Sequence, residues 1–253
     1  MGLLPGLGLW PTLYIARHAE KLMKSTVFLS TLLLFGLAQF SLASTQVSYS
    51  AAGVQNSAIA DTTEFNFNSL PASYTASTAN AGGIGQFSGL AVENAGPFGG
   101  AAGHSTYGVV GYPGNGNATL TFSGPASYFG FWWSAVDAQN TLTLYSGDSA
   151  VLTLTGSDLM NALGSCGAGS TNAYCGNPVN GEDGRELFSY VNIFGTNGTQ
   201  FSSASFSNGT STGFEFDNLA YIDPPAVPEP ATWSCLALGL SALAFLKFRN
   251  SRA

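Results

Sequence analysis

Apolar and polar side chains alternate along the middle of this chain in short runs. They cover residues 63–67, 118–122, 128–133, 140–145, 150–154, 186–193, 201–206 and 213–221. Period-two alternation rich in aromatic and β-branched residues predicts β-strands. Turn-forming residues separate them: Ser146-Gly147-Asp148, Thr196-Asn197-Gly198-Thr199 and Ser207-Asn208-Gly209-Thr210. Residues 156–163 alone read as a short helix, with Ser157 or Asp158 as its N-cap. Many short strands with almost no helix predict an all-β fold, a β-sandwich or jelly roll.

Two unbroken apolar stretches depart from that alternation, one at each end. Near the N-terminus, Met23-Lys24-Ser25-Thr26 precedes an apolar run over 27–38 and the small-x-small sequence Ser41-Leu42-Ala43. This is the layout of a signal peptide cut after Ala43 by signal peptidase, following Sec export. Residues 1–22 do not extend the signal in any regular way. They read as an upstream extension, with translation starting at Met23, or as a long n-region. Near the C-terminus, Val227-Pro228-Glu229-Pro230 precedes an uncharged span over 231–246, and Lys247, Arg249 and Arg252 follow. The two prolines hold Glu229 on extended backbone. Sixteen residues of helix would reach roughly 24 Å, so Trp233 and the snorkelling cations must make up the rest of a ~30 Å hydrocarbon core. The cations orient the C-terminus toward the cytoplasm.

The Val227–Pro230 motif, the span and the basic cluster together resemble a PEP-CTERM sorting signal. The resemblance implies processing by exosortase, an integral-membrane transpeptidase-like enzyme of Gram-negative bacteria. The protein would pass through an inner-membrane-anchored intermediate to the cell envelope, surface or extracellular matrix. The division that follows is 1–22 extension, 23–43 signal peptide, 44–226 β-sandwich ectodomain and 227–253 sorting signal with a single transmembrane helix.

Composition narrows the ectodomain's chemistry. Charged residues make up 8% of the chain, against about 25% in ordinary globular proteins. Between residues 44 and 226 the single Lys or Arg is Arg185, facing twelve Asp and Glu residues. Such a surface excludes nucleic acid, which is bound through cations. Its hydroxyls and amides suit polysaccharide. Cys166 and Cys175 bracket an irregular loop and are expected to pair in an oxidising compartment.

A second resemblance covers roughly residues 60–253. It rests on residues 129–145, Gly156-Ser157-Asp158-Leu159, Tyr190-Val191-Asn192 and Phe214-Glu215-Phe216-Asp217-Asn218-Leu219-Ala220. These are similar to exosortase-dependent surface proteins, a likeness that implies location and carries no catalytic residues. Catalysis has little support in the residues themselves. His104 lies in a Gly-rich loop without a triad context, and Asp137 and Asp148 are two acids among twelve. The expectation is a non-enzymatic protein associated with exopolysaccharide or biofilm matrix, with a carbohydrate-binding module as the alternative and an envelope hydrolase as the weaker one. A candidate structural calcium site joins Glu64 on an early strand to Asp217 and Asn218 on the last, with residues 180–186 a second oxygen-rich segment. Trp132, Trp133 and Tyr145 are candidates for stacking on sugars. Adjacent tryptophans on a strand face opposite sides, so core packing competes with that role.

Overall fold

The computed structural model describes residues 43–111, 116–209 and 213–223. The signal peptide up to Leu42, the Val227–Pro230 motif, the apolar span and the cations Lys247, Arg249 and Arg252 lie outside the described residues. Within those residues, no helix is long and apolar enough to cross a membrane.

The all-β expectation holds, with twelve strands in one antiparallel sheet. In chain order they are β1 (Ser44–Tyr49), β2 (Thr63–Phe65), β3 (Ser73–Asn80), β4 (Gly85–Asn94), β5 (Thr106–Val110), β6 (Asn117–Ala126), β7 (Tyr128–Val136), β8 (Thr141–Ser146), β9 (Ser149–Thr155), β10 (Leu187–Thr196), β11 (Phe201–Ser207) and β12 (Phe214–Ile222). They pair in the order β1-β10-β7-β12-β5-β4-β6-β11-β8-β9, with β2 added to β12 and β3 to β4. The sheet folds over so that one half faces the other and its two ends, β1 and β9, approach. Where two packed sheets would have sufficed, the layers here are halves of a single nearly closed sheet.

Phenylalanine fills the space between the halves. Phe206 on β11 stacks on Phe216 of β12 at 4.2 Å and meets Phe131 of β7 edge-on at 5.8 Å. Phe87 of β4 stacks on Phe216, and Phe122 of β6 packs against Phe129 of β7. Each such ring removes enough apolar surface to contribute roughly 1.5–3 kcal/mol, and favourable ring pairs add about 0.5–1.5 kcal/mol. A strand of the half containing β6 alternates buried and exposed positions, as a sheet with one wet face should. β7 and β12 do not: nearly every residue of both is buried. Their outer face is therefore covered as well, by a second cluster that includes Trp132, Phe188, Tyr190 and Ala101.

Local details differ from the sequence reading at three places. The helix α1 (Gly156–Leu163) is capped by Thr155, which precedes the expected caps Ser157 and Asp158. Asp158 is the third helical residue instead, and its carboxylate accepts from the Thr155 backbone and hydroxyl in a capping box. Phe67, expected to end a strand, begins a 3-10 turn over Phe67–Ser69, because the Asn66 side chain accepts from the Asn68 N–H and turns the chain. Four strands, β1, β3, β4 and β5, were not anticipated. β4 carries a glycine at φ +76°, Gly89, packed so closely on the Asn117 carbonyl that a Cβ would overlap it, and this breaks the alternation on which sequence reading depends.

Candidate functional site

The alternation of β12 places Phe214 and Phe216 in the main core. Glu215 and Asp217 must then share the outer face, and both are buried there, at 7% and 0% exposure. Glu215 pairs across from Val109 on β5 and Ser134 on β7. Glu93, toward the end of β4, lies on the neighbouring strand beside Tyr107, whose hydroxyl donates to its carboxylate at 2.6 Å. Asp137 follows the end of β7 and Glu186 precedes β10. These four acids, with Phe98, Val109 and Ala135, line a cavity of about 240 Å3 that contains no basic side chain.

Backbone geometry makes this arrangement feasible. Ala135 holds a φ of +44°, uncommon for a residue with a Cβ. It sits where β7 and β10 shift register, between the Val136–Leu187 and Trp133–Ser189 pairs. That bulge turns the chain so that Asp137 reaches the cavity rather than continuing the strand alternation. Gly213 supplies the other concession, since a Cβ there would overlap the Glu215 carboxylate. Above the cavity, Phe98 is 49% exposed. Its loop is held by Asn177, whose side-chain amide donates to the carbonyls of Gly96 and Pro97 at 3.1 Å each. Asn180 donates to Gly96 as well, at 3.3 Å. The loop before β5 and the loop before β10 are thus tied into one rim.

Burial pushes the Glu215 carboxyl well above the usual range, and the charges of Glu186, Asp137 and Glu93 push it further. Its Oε2 has no hydrogen-bond partner among the described residues. Glu186 is pushed up to about 8, first by burial and then by its contact with Asp183 and the charge of Asp137. Asp183 is raised by burial too. Two carboxylates facing each other have no donor between them, so Asp183 and Glu186 are satisfied only when they share a proton. Without a counter-charge, the cavity's acids therefore hold on to protons that exposed carboxyls would have given up.

Asp217, two residues further along β12, is accounted for differently. Its Oδ2 accepts from the Ala101 N–H at 3.0 Å and contacts His104 Nδ1 at 2.9 Å, while Oδ1 accepts from the Asn218 N–H at 2.8 Å. Burial nevertheless raises its pKa against those bonds. His104 is accordingly no surface loop residue: it is partnered with a buried acid and pins the Gly-rich loop onto the sheet.

The sequence-proposed calcium ligands do not converge. Glu64 does reach β12, pairing with Ala220, but its carboxylate accepts from Thr62. Asn218 donates to the Gln55 carbonyl and to Asn56 at 2.7 Å each. Among the described residues, no group of three or more His, Cys, Asp and Glu side chains gathers in a metal-holding arrangement. Trp132 and Trp133 do face opposite sides, but both are buried, at 1% and 0%. Trp133 stacks on Phe214 at 4.5 Å, and Trp132 packs on Phe188 at 5.9 Å. Neither offers a face to a sugar. Tyr145 is half-buried on β8, away from the cavity. Cys166 and Cys175 are joined by a disulfide.

The acidic cavity is not legible in the sequence, because its walls come from β4, β5, β7, β12 and the segments before β5, after β7 and before β10. One signal was present: an acid between two inward-facing phenylalanines, in a chain with few charges.

No family model and no curated protein matches this chain. Among solved structures, it is similar to the catalytic domain of a GH87 alpha-1,3-glucanase variant in complex with tetrasaccharides, at 13% identity and a TM-score of 0.28. The likeness covers 76% of this chain and 30% of the length of that one.

Proposed function

We propose that this protein is an exported, non-enzymatic component of a Gram-negative envelope, sorted by exosortase through Val227–Pro230, whose β-sandwich ectodomain binds extracellular polysaccharide. The observation that carries the binding reading is the cavity beneath Phe98. It combines an exposed aromatic ring with several carboxylate acceptors, the two kinds of group that seat and orient a sugar. The disulfide Cys166–Cys175 agrees with an oxidising location. Export and sorting rest on the two terminal sequences.

The test follows full-length protein in its host. Glu229→Ala leaves the apolar span and cations unchanged, so it should insert normally and accumulate as uncleaved precursor. Deleting residues 247–253 should disturb orientation instead. Fractionation with immunoblotting reads both, and co-sedimentation of the wild type with extracellular polysaccharide reads the binding. Identical size and location for Glu229→Ala and wild type would refute sorting. A hydrolase is the second reading, favoured by a Glu186 acid poised near neutral pH beside Asp137 and Glu215. Release of reducing ends from the bound polysaccharide, lost in Glu186→Gln, would establish it in place of the non-enzymatic one.

A further inference from the structure

We propose that the cavity beneath Phe98 is a receptor for an organic ammonium group, presented by an amine-bearing sugar of the polysaccharide. The inference rests on the binding reading above and names the ligand's chemistry.

The cavity has four acidic side chains and no base. Glu215 is more than nine-tenths buried and lines the cavity with Oε2 unpartnered among the described residues. A buried carboxylate without a donor is costly, so an occupant that brings both positive charge and N–H donors is favoured. An ammonium group brings a full charge and three donors. A bare divalent cation fits less well. Calcium takes six to eight oxygens at about 2.3–2.6 Å, whereas the acids here do not gather in a metal-holding group. They stand around a space of about 240 Å3, part of whose wall is apolar, from Val109, Ala135 and Phe98. That space admits a ring-sized body with its charge. The apolar side suits the C–H face of a sugar, and the Phe98 face attracts a cation at its rim. A neutral or N-acetylated sugar would leave the carboxylates uncompensated.

The titratable groups that line the cavity are Glu93 on β4, Asp137 after β7, Glu186 before β10 and Glu215 on β12, with Tyr107 of β5 behind Glu93 and Asp183 beside Glu186. A cation among them favours their ionised forms. Binding near neutral pH should therefore release protons, which a simple apolar pocket would not do.

The experiment is calorimetric titration of full-length protein, disulfide intact, with a glucosamine hexamer, the N-acetylglucosamine hexamer, spermidine and calcium chloride. Repeating it in buffers of different ionisation enthalpy counts the protons released. The glucosamine hexamer should bind with proton release, and its N-acetylated counterpart at least tenfold more weakly. Glu215→Gln and Asp137→Asn should each weaken it about tenfold or more, and Phe98→Ala a few-fold. Unchanged circular dichroism and melting of Phe98→Ala and Asp137→Asn show that the loss is in the site. Equal binding of the two hexamers would overturn the ammonium inference and leave polysaccharide binding standing. Binding of neither would overturn both. Spermidine binding more tightly than the glucosamine hexamer would overturn the sugar as source, and calcium binding that blocks the hexamer would overturn the organic ligand.

Discussion

Replacing Glu186 with glutamine should remove a measurable part of the protein's loss of stability between mildly acidic and mildly alkaline pH. In the fold this carboxyl is pushed up to about 8 from an ordinary 4.5. The folded chain therefore keeps a proton that the unfolded chain has given up. Its contribution is fully present below about pH 4.5 and is lost as pH rises through about 8. At about 1.4 kcal/mol per pH unit the full span would be worth roughly 5 kcal/mol. Glu186 is only half-buried, and water screens its neighbours, so about 2 kcal/mol is a realistic share. For a domain of this size that corresponds to a fall in Tm of about 6 °C between pH 5 and pH 8. In Glu186→Gln the fall should shrink by about that share, because this carboxyl no longer titrates and Glu215 loses one of the charges that oppose its ionisation, while burial still raises Glu215. Thermal unfolding by circular dichroism, in steps across pH 4–9 with the disulfide intact, measures both curves. Asp148→Asn, on the exposed turn between β8 and β9, controls for the loss of one negative charge. A wild-type Tm that is flat from pH 5 to 8, or equal slopes in Glu186→Gln and Asp148→Asn, would refute the account of an uncompensated acidic cavity.

Phe206 is fully buried between the two halves of the sheet and meets Phe87, Phe129, Phe131, Phe214 and Phe216. Phe206→Ala should destabilise by about 3–5 kcal/mol in urea unfolding, while Phe98→Ala, at the exposed rim, should stay within about 0.5 kcal/mol. Replacing Cys166 and Cys175 together by serine should lower stability by about 2–3 kcal/mol, as loss of a short closed loop implies. Equal urea midpoints for the oxidised protein and the double serine variant would show that the loop is ordered without the bond.

Strands were legible where alternation is strict and both flanks carry turn residues. β8, β9 and β11 satisfy this, and their bounds agree with the sequence to within a residue or two. β4 does not, because close approach of neighbouring backbone at Gly85 and Gly89 demands glycines that erase the pattern, and neither does β5, where the Phe67 and Phe216 rings leave no room for a Cβ at Gly108. β1 and β3 are short on large apolar residues, and their place comes from pairing with β10 and β4. The tryptophans misled as ligand candidates because period two says only that they diverge. That the outer face is also covered, by Ala101, Phe188 and Tyr190, is a property of distant segments. Covering of the outer face also buries Glu215 and Asp217, leaving Glu215 Oε2 without a partner among the described residues and making Asp217 a clamp for His104.

The bridge Cys166–Cys175 sets a timetable for the site. Cys175 forms an isolated β-bridge with Leu187, the residue after Glu186, and the Phe188 N–H donates to the Tyr174 carbonyl at 2.9 Å. The Tyr174 hydroxyl in turn donates to the Ser50 carbonyl beside β1. The linked loop is therefore the anchor from which β10 starts, and Glu186 hangs from its last stitch. In a newly made chain with reduced thiols the covalent tie would be missing, and the backbone contacts at Leu187 and Phe188 alone would hold the acid in place. If the chain follows the proposed exported route, oxidation would tighten the cavity in the same step that secures the strand, and ligand binding would strengthen only after the chain reached an oxidising compartment.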